Sequence, residues 1–392
     1  RAGTLQGVQL DGLACRLATF HRDAPKAAAA APWGRAGQIA GTAKQLFDDL
    51  RAQCSNGRVP PLLEVLEAQL PTWRSAWQAR RRAGAVRECH GDLHLDNLVW
   101  VDGEVIAFDC IEFDPALRWI DVMNDLAFAT MDLRAHGRPD LAFRLLDQYL
   151  QASGDYPGLK VLRPYEIYRA GVRALVSQLR ANQASEPATE SAVDYVGCAQ
   201  GLLHKDGRGA RLMITHGLSG SGKSTIAGQL VEAVGAIRVR ADVERKRLFG
   251  LDALQDSAAQ GIDIYKPAAT RRTYRRLADC AAHALPAGYP VVIDAAFLHR
   301  AERRVFQQLA AELRVPFTIL HCHADPDCLR QRVTGRRTTH TDASEADIDV
   351  LERQLSKAQS LDGDEHAFTI EVDTRRPLEP QQLAARWLGV SI

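Results

Sequence analysis

Nine residues in the middle of the chain constrain its fold more than any other feature: Gly217-Leu218-Ser219-Gly220-Ser221-Gly222-Lys223-Ser224-Thr225. They fit the pattern G-x-x-x-x-G-K-[ST], which needs a β-strand before it and a helix opening behind it. The flanks comply, with the apolar run Leu212–Thr215 in front and a helical pattern after. Glycines at 217, 220 and 222 let the backbone curl until successive N–H groups face a phosphate. The helix start adds its partial positive charge. In such a loop Lys223 reaches the β- and γ-phosphates and the Ser224 hydroxyl ligates Mg²⁺. Gly217, Gly220, Ser221, Gly222 and Thr225 complete the candidate nucleotide contacts, and ATP and Mg²⁺ are the expected cofactors.

The sequence around this loop predicts an α/β domain. Apolar runs at Leu212–Thr215, Ile237–Val239, Val291–Ile293, Phe317–Leu320 and Phe368–Val372 alternate with helical stretches. That alternation predicts a five-stranded parallel sheet covered on both faces. Asp242 follows the second run and precedes Arg245, Lys246 and Arg247. An acid there can take the proton of an acceptor hydroxyl while the cations hold an anion; the alternative is a plain helix N-cap. Asp294 ends the third run, where a Walker B acid orients Mg²⁺. Arg300 and Arg303 follow on the next helix. Arg332, Arg336 and Arg337 form a basic cluster suited to a lid, with Arg332 and Arg337 on the nucleotide and Arg336 on the transferring charge. A solvated arginine face is the competing reading. His321, Cys322, His323 and Cys328 match no common zinc spacing and read as a strand end.

A second constellation lies in the front half. His90-Gly91-Asp92-Leu93-His94-Leu95-Asp96-Asn97 precedes two short apolar runs, Leu98–Val101 and Val105–Phe108, split by Asp102-Gly103, a hairpin signal. Asp109 follows at once. The interval from Asp92 to Asn97 equals that of H-R-D-x-x-x-x-N, and Asp109 stands where the metal-binding Asp of D-F-G belongs. Asp92 is therefore a candidate catalytic base, with Asn97 and Asp109 as candidate metal ligands. Elsewhere this half reads as helix and loop: an amphipathic face through Leu10, Leu13, Leu17 and Phe20, an alanine-rich connection from Lys26 to Gly34, and helices near 38–52 and 62–81.

At these residues the chain resembles the aminoglycoside phosphotransferase-like, choline-kinase-related group, to which Arg118, Asp121 and Asp125 also conform. The later half, including Ser344 and Asp347 before a helix, resembles AAA_33-type small-molecule kinases. Together the order is similar to the family described as bifunctional aminoglycoside phosphotransferase/ATP-binding proteins. The resemblance implies a kinase-like C-lobe over residues 1–205 and a P-loop kinase domain over 206–392, with the boundary near Lys205–Gly209. It also exposes a departure. Kinase-like proteins place a β-rich lobe of ~100 residues, with a strand lysine, before the catalytic loop. Only 89 residues precede His90 here; they read helical, and their lysines are Lys26 and Lys44. The expectation is a chain lacking that lobe, with Asp92, Asn97 and Asp109 retained by descent.

Composition narrows the function classes. With 49 Lys plus Arg against 48 Asp plus Glu, the net charge of +1 gives no pull toward nucleic acid or anionic lipid. That argues against a nucleic-acid 5′-hydroxyl kinase. No apolar stretch approaches the ~18 residues of a membrane span, and eight scattered cysteines give no disulfide framework. The expectation is a cytoplasmic ATP-dependent phosphotransferase acting on a small hydroxylated acceptor, with no membrane role. An ATP-binding regulatory or adaptor protein is the alternative. Nothing in the sequence names the acceptor or a protein partner.

Overall fold

In the computed structural model, residues 5–53, 58–183, 193–203, 209–339 and 342–390 are described, the side chains of residues 61, 65, 66 and 337–339 excepted. The chain divides into two compact units, Arg1–Gly207 and Arg208–Ile392. Lys205–Arg208, most of the expected boundary, lie outside the described residues.

The first unit runs α1 (Gly7–Asp23), α2 (Ala36–Gln53), α3 (Val59–Arg82), β1 (Val86–Glu88), β2 (Leu98–Val101), β3 (Glu104–Ala107), α4 (Pro115–Arg118), β4 (Trp119–Asp121), α5 (Val122–Ala135), α6 (Pro139–Ser153), α7 (Leu159–Gln183) and α8 (Tyr195–Leu203). Leu10, Leu13 and Leu17 of α1 are buried, as the periodicity requires, whereas Phe20 is 44% exposed. The alanine-rich connection is fastened rather than loose: the Arg81 guanidinium donates to the carbonyls of Ala29, Ala31 and Trp33. Asp102 and Gly103 both take positive φ, 50° and 84°, between antiparallel β2 and β3. This is the backbone twist that a tight hairpin needs. The pairing of β1 with β4 was not foreseen. Three-residue strands are too short to show a period-two pattern.

The second unit runs β5 (Arg211–His216), α9 (Lys223–Val234), β6 (Ile237–Arg240), α10 (Ala241–Leu248), α11 (Pro267–Ala284), β7 (Pro290–Asp294), α12 (Arg300–Leu313), β8 (Phe317–His323), α13 (Pro326–Thr339), α14 (Ile348–Lys357), β9 (Thr369–Asp373) and α15 (Pro380–Leu388). Its five strands are parallel, in the order β6-β7-β5-β8-β9. The unit is α/β, as expected. Met213, Val292, Leu320 and Val372 of the sheet bury against Ile226 and Leu230 of α9 and Leu383 and Trp387 of α15. On α11 and α12, Tyr274 and Phe306 meet Phe297 edge to face. A sheet covered on both faces explains why these strands read as continuous apolar runs. The order puts β5 at the centre, so the loop after it opens at the carboxyl edge of the sheet, where ligands of open α/β folds bind.

Candidate active site

The loop between β5 and α9 has the backbone its glycines permit. Gly217, Gly220 and Gly222 take φ of 146°, 81° and 81°. A Cβ at Gly217 would collide with the Cys322 carbonyl, and one at Gly220 would come within 2.9 Å of the Leu329 carbonyl. Both positions are therefore closed to any other residue on steric as well as torsional grounds. Leu218 packs against Leu329, Val333 and Leu351 of α13 and α14, which pins the loop from outside.

Lys223 opens α9, and its ammonium donates to the Leu218 carbonyl at 2.7 Å and approaches Ser221 Oγ at 3.4 Å. Burial pushes its pKa below the ordinary lysine value, against the pull of Asp294, Cys322 and Asp242. A cation held at such a cost is suited to an incoming anion. Ser224 Oγ donates to Asp294 Oδ1 at 3.1 Å. The two residues stand 70 positions apart, joined by the adjacency of β5 and β7. Asp294 is 5% exposed, and among the described residues its Oδ2 has no hydrogen-bond partner; the Arg240 guanidinium lies 3.6 Å from it. A buried carboxyl oxygen beside a serine hydroxyl is a donor set that fits a divalent cation. Just beyond, Phe297 is fully buried with φ of 50°, a rare conformation for a bulky residue that places backbone strain beside the site.

These groups line a cleft of about 650 Å³ together with Asp242, Arg245, Arg332, Arg336 and Thr374. Asp242 sits inside the first turn of α10, after Arg240 as N-cap, so the plain capping alternative is set aside. Its carboxylate makes no hydrogen bond among the described residues. Of the three cations that follow, Arg245 alone faces this cleft, donating to the Ile264 carbonyl and Thr270 Oγ1. Lys246 is 1% exposed and paired with Glu345 at 3.0 Å, and Arg247 is paired with Glu244. The expectation that all three hold an anion is corrected: two are neutralised internally. Arg332 donates to the Gly220 carbonyl and to both Thr374 Oγ1 and its carbonyl, and Arg336 donates to the Ala346 carbonyl. The side chain of Arg337 lies outside the described residues. Arg300 pairs with Asp362 and Asp364, and Arg303, 1% exposed, makes a two-pronged contact with Glu365. Both serve the fold.

Gln354 and Tyr265 had no sequence signal. Gln354 Oε1 accepts the Ser219 N–H at 2.8 Å, capping one donor of the phosphate loop from α14. Asp347 N-caps α14 through the Val350 N–H, and Ser344 lines the cleft. His216 and His321 are opposite each other on β5 and β8, with ring centroids 4.7 Å apart. His321, Cys322 and His323 belong to β8 itself; the His216 and His321 rings meet edge to face, and the His321 and His323 rings are tilted by 52°.

In the first unit, the loop from His90 to Asn97 hangs on Asp125, which is fully buried and accepts from the His90 N–H (3.1 Å), the Gly91 N–H (2.8 Å) and His21 Nε2 (3.0 Å). Burial alone would raise the pKa of Asp125, but His21 and the Gly91 N–H outweigh it and hold the carboxyl below its ordinary value. Asn97 Nδ2 donates to the Asp92 carbonyl and to Asp92 Oδ2, at 2.9 and 3.1 Å. His94 Nε2 lies 3.3 Å from the same oxygen. Asp92 is lowered likewise: burial opposes, and His94 prevails. Asp109 follows the Phe108 carbonyl that accepts from His90 Nε2, has φ of 60° and is exposed. Asp92 and Asn97 are thus brought together, while no hydrogen bond ties Asp109 to either. Lys44 pairs with Glu67 and Asp48, and Lys26 bridges to Arg87 through its backbone.

Fold and site together define a P-loop unit joined in one chain to a kinase-type catalytic loop. Residues 4–165 match the family described as Phosphotransferase enzyme family (APH), and residues 212–361 match AAA_33, described as AAA domain. The chain is 30% identical over 341 residues to the uncharacterized protein Rv2004c of Mycobacterium tuberculosis H37Rv and to Mb2027c of Mycobacterium bovis, spanning 86% of itself and 68% of each relative. It belongs to the family of these proteins, and in this chain the phosphotransferase match is followed by the AAA_33 match. Among solved structures it is similar to a sugar kinase from Janibacter sp. HTCC2649 (24% identity, 46% of this chain and 93% of that one, TM-score 0.34). A gluconokinase from Sinorhizobium meliloti 1021 (20%, 46% and 91%, 0.34) and a Plasmodium vivax ethanolamine kinase (15%, 50% and 60%, 0.35) are also similar. By its domains the chain is of the kinase-type, ATP-binding phosphotransferase class. Among the described residues, no helix is long and apolar enough to cross a membrane.

Proposed function

We propose that residues 206–392 transfer the γ-phosphate of ATP to a small hydroxylated acceptor, and that residues 1–205 are a kinase-like C-lobe. The observation that carries this reading is the single cleft in which Lys223, the Ser224–Asp294 pair and the unpaired carboxylate of Asp242 meet. In the reaction, a bond forms from the acceptor oxygen to the γ-phosphorus and the bond from that phosphorus to the bridging oxygen breaks. The hydroxyl proton passes to Asp242, and ADP leaves. Lys223 holds the β- and γ-oxygens, and the N–H groups of Gly220 to Lys223 fix the β-phosphate. Arg336, with Arg337 beside it in sequence, offsets the charge on the transferring group, while Arg332 holds the nucleotide side of the cleft in place through the Gly220 carbonyl. Ser224 and Asp294 are the residues that would hold Mg²⁺, which supplies charge neutralisation across the phosphates. In the first unit, Asp92 would serve as base and Asn97 and Asp109 as ligands of a second metal.

Calorimetry with Mg-ATP on the wild type and on Lys223→Ala, beside an ADP-release assay over a panel of hydroxylated acceptors, tests the reading. One site lost in the variant, with acceptor-dependent ADP release in the wild type, is expected. Tight binding with no transfer to any acceptor would favour the alternative of an ATP-binding regulatory protein. A site that survives Lys223→Ala would assign nucleotide binding to Asn97 and Asp109 as well.

A further inference from the structure

A second cavity, of about 550 Å³, adjoins the nucleotide cleft, and Tyr265, Arg336, Asp342, Ser344 and Val350 line both. Asp242 and the buried Asp294, whose Oδ2 has no hydrogen-bond partner among the described residues, line the nucleotide cleft on its own side of these shared residues. Arg336, proposed above to act on the transferring group, is thus shared by the two. The walls of the second cavity come from the segment between α10 and α11 and from the approach to α14.

The charge on these walls is one-sided. Asp256, Asp263, Asp342, Glu345 and Asp347 line it, against Lys246, Arg336 and Arg353. Of the cations, Lys246 is buried and spent on Glu345 and the Ala253 carbonyl, Arg353 Nε donates to the Asp349 carbonyl, and Arg336 donates to the Ala346 carbonyl. Glu345 is spent through both oxygens on Ser257 and Lys246, whereas each of the four aspartates is held through one oxygen only. Asp256 Oδ1 accepts the N–H groups of Ala258 and Ala259, Asp263 Oδ1 that of Tyr265, and Asp347 Oδ1 that of Val350. Asp342 Oδ1 takes the Arg240 guanidinium and the Ser344 N–H. In all four the Oδ2 atom makes no hydrogen bond among the described residues. The chamber thus presents acidic side-chain oxygens that can receive O–H or N⁺–H donors.

We infer that this chamber is the acceptor pocket and that it takes a neutral polyol or a cationic amino alcohol, excluding acceptors that carry a carboxylate or phosphate. The inference rests on the phosphotransferase reading above for its position, and on the wall chemistry for its selectivity. Asp256 and Asp263 stand exposed at the rim, where they select on entry. Asp342 and Asp347, half-buried, hold the hydroxyls within.

The test measures binding to the full chain by thermal shift and calorimetry, with the non-hydrolysable ATP analogue AMPPNP present. The panel contains sorbitol, myo-inositol, glucosamine, ethanolamine and kanamycin, set against gluconate, glycerate and shikimate. Neutral or cationic compounds are expected to bind at least tenfold more tightly than the acids. Asp256→Asn with Asp263→Asn, substitutions at exposed positions that leave the fold intact, is expected to narrow that ratio by about tenfold. Acids binding as tightly as the others, no binding by any neutral or cationic compound, or a ratio unmoved by the double variant would each overturn the inference. ADP release is measured in parallel. The expected ranking without any ADP formation would refute the phosphotransfer reading and leave the selectivity of the chamber standing.

Discussion

Lys223 is the residue at which folding and ligand binding pull in opposite directions, and replacing it with Met separates the two. In the ligand-free cleft its ammonium is buried, and burial depresses its pKa from the ordinary value near 10.5. The unfolded chain keeps that proton to a higher pH than the folded one, so between the two values the unfolded state binds more protons and stability rises with pH. Below that window the cost of burying the charge is felt in full. Lys223→Met removes the charge but keeps the length of the side chain, so the ligand-free second unit is expected to melt at the same temperature or higher. Nucleotide binding moves the other way. A hydrogen bond to a charged partner contributes about 1.5–3 kcal/mol, and at ~1.4 kcal/mol per tenfold its loss weakens ATP roughly ten- to hundredfold. Wild-type protein in ATP at a hundred times its Kd gains about 2.7 kcal/mol of stability, and the variant at the same concentration should gain only about 0.4–1.4 kcal/mol. Scanning calorimetry with and without Mg-ATP reads both effects on one sample. A variant that melts several degrees lower without ligand, yet binds ATP unchanged, would refute the reasoning, because Lys223 would then be a structural cation.

The other expectations follow from the same geometry. Asp242→Asn should lower kcat by roughly 10²–10⁴ if it removes the general base while ATP affinity stays within about twofold; steady-state kinetics with direct ATP binding checks the split. Asp125→Asn turns an amide toward the His90 or Gly91 N–H and should destabilise the first unit by about 3–5 kcal/mol, seen as an earlier calorimetric transition. Because the Asp125 carboxyl is held below its ordinary value of 3.8, its contribution is complete above that pH and disappears as the pH falls through the folded value; acid melts of the variant should be flatter there. His216 is pushed down to about 3 by burial, with His321 and Arg303 adding to it. As the pH drops below 6.5 the unfolded chain gains a proton that the folded one refuses, so the second unit should lose up to ~1.4 kcal/mol per pH unit. His216→Leu, measured by denaturant melts from pH 7 to pH 4, should flatten that slope, and an unchanged slope would place the titration elsewhere.

What the sequence determined by itself was whatever short-range backbone chemistry dictates. The Gly217–Thr225 loop, the Asp102-Gly103 hairpin and the five buried strands of the second unit each carry their signal within a few residues: positive φ where glycine stands, apolar runs where both faces of a strand are covered. The spacing of Asp92 and Asn97 was legible for the same reason, since six residues of one loop cannot be far apart. Tertiary structure alone decided which polar groups are spent and which are left to act. Arg245, Lys246 and Arg247 are neighbours in sequence, yet one faces the cleft and two are neutralised: Glu244 meets Arg247 one turn away on α10, but Glu345 reaches Lys246 only by folding. Ser224 meets Asp294 only because β7 lies beside β5, and Gln354 reaches the Ser219 N–H only because α14 packs over the loop. Ion pairs and hydrogen bonds of this kind depend on distance in space and not on separation along the chain, and no local pattern encodes them. The free oxygens of Asp256, Asp263, Asp342 and Asp347 belong with these. Each aspartate looks like an ordinary turn or cap in the sequence, and only the fold gathers the four around one cavity.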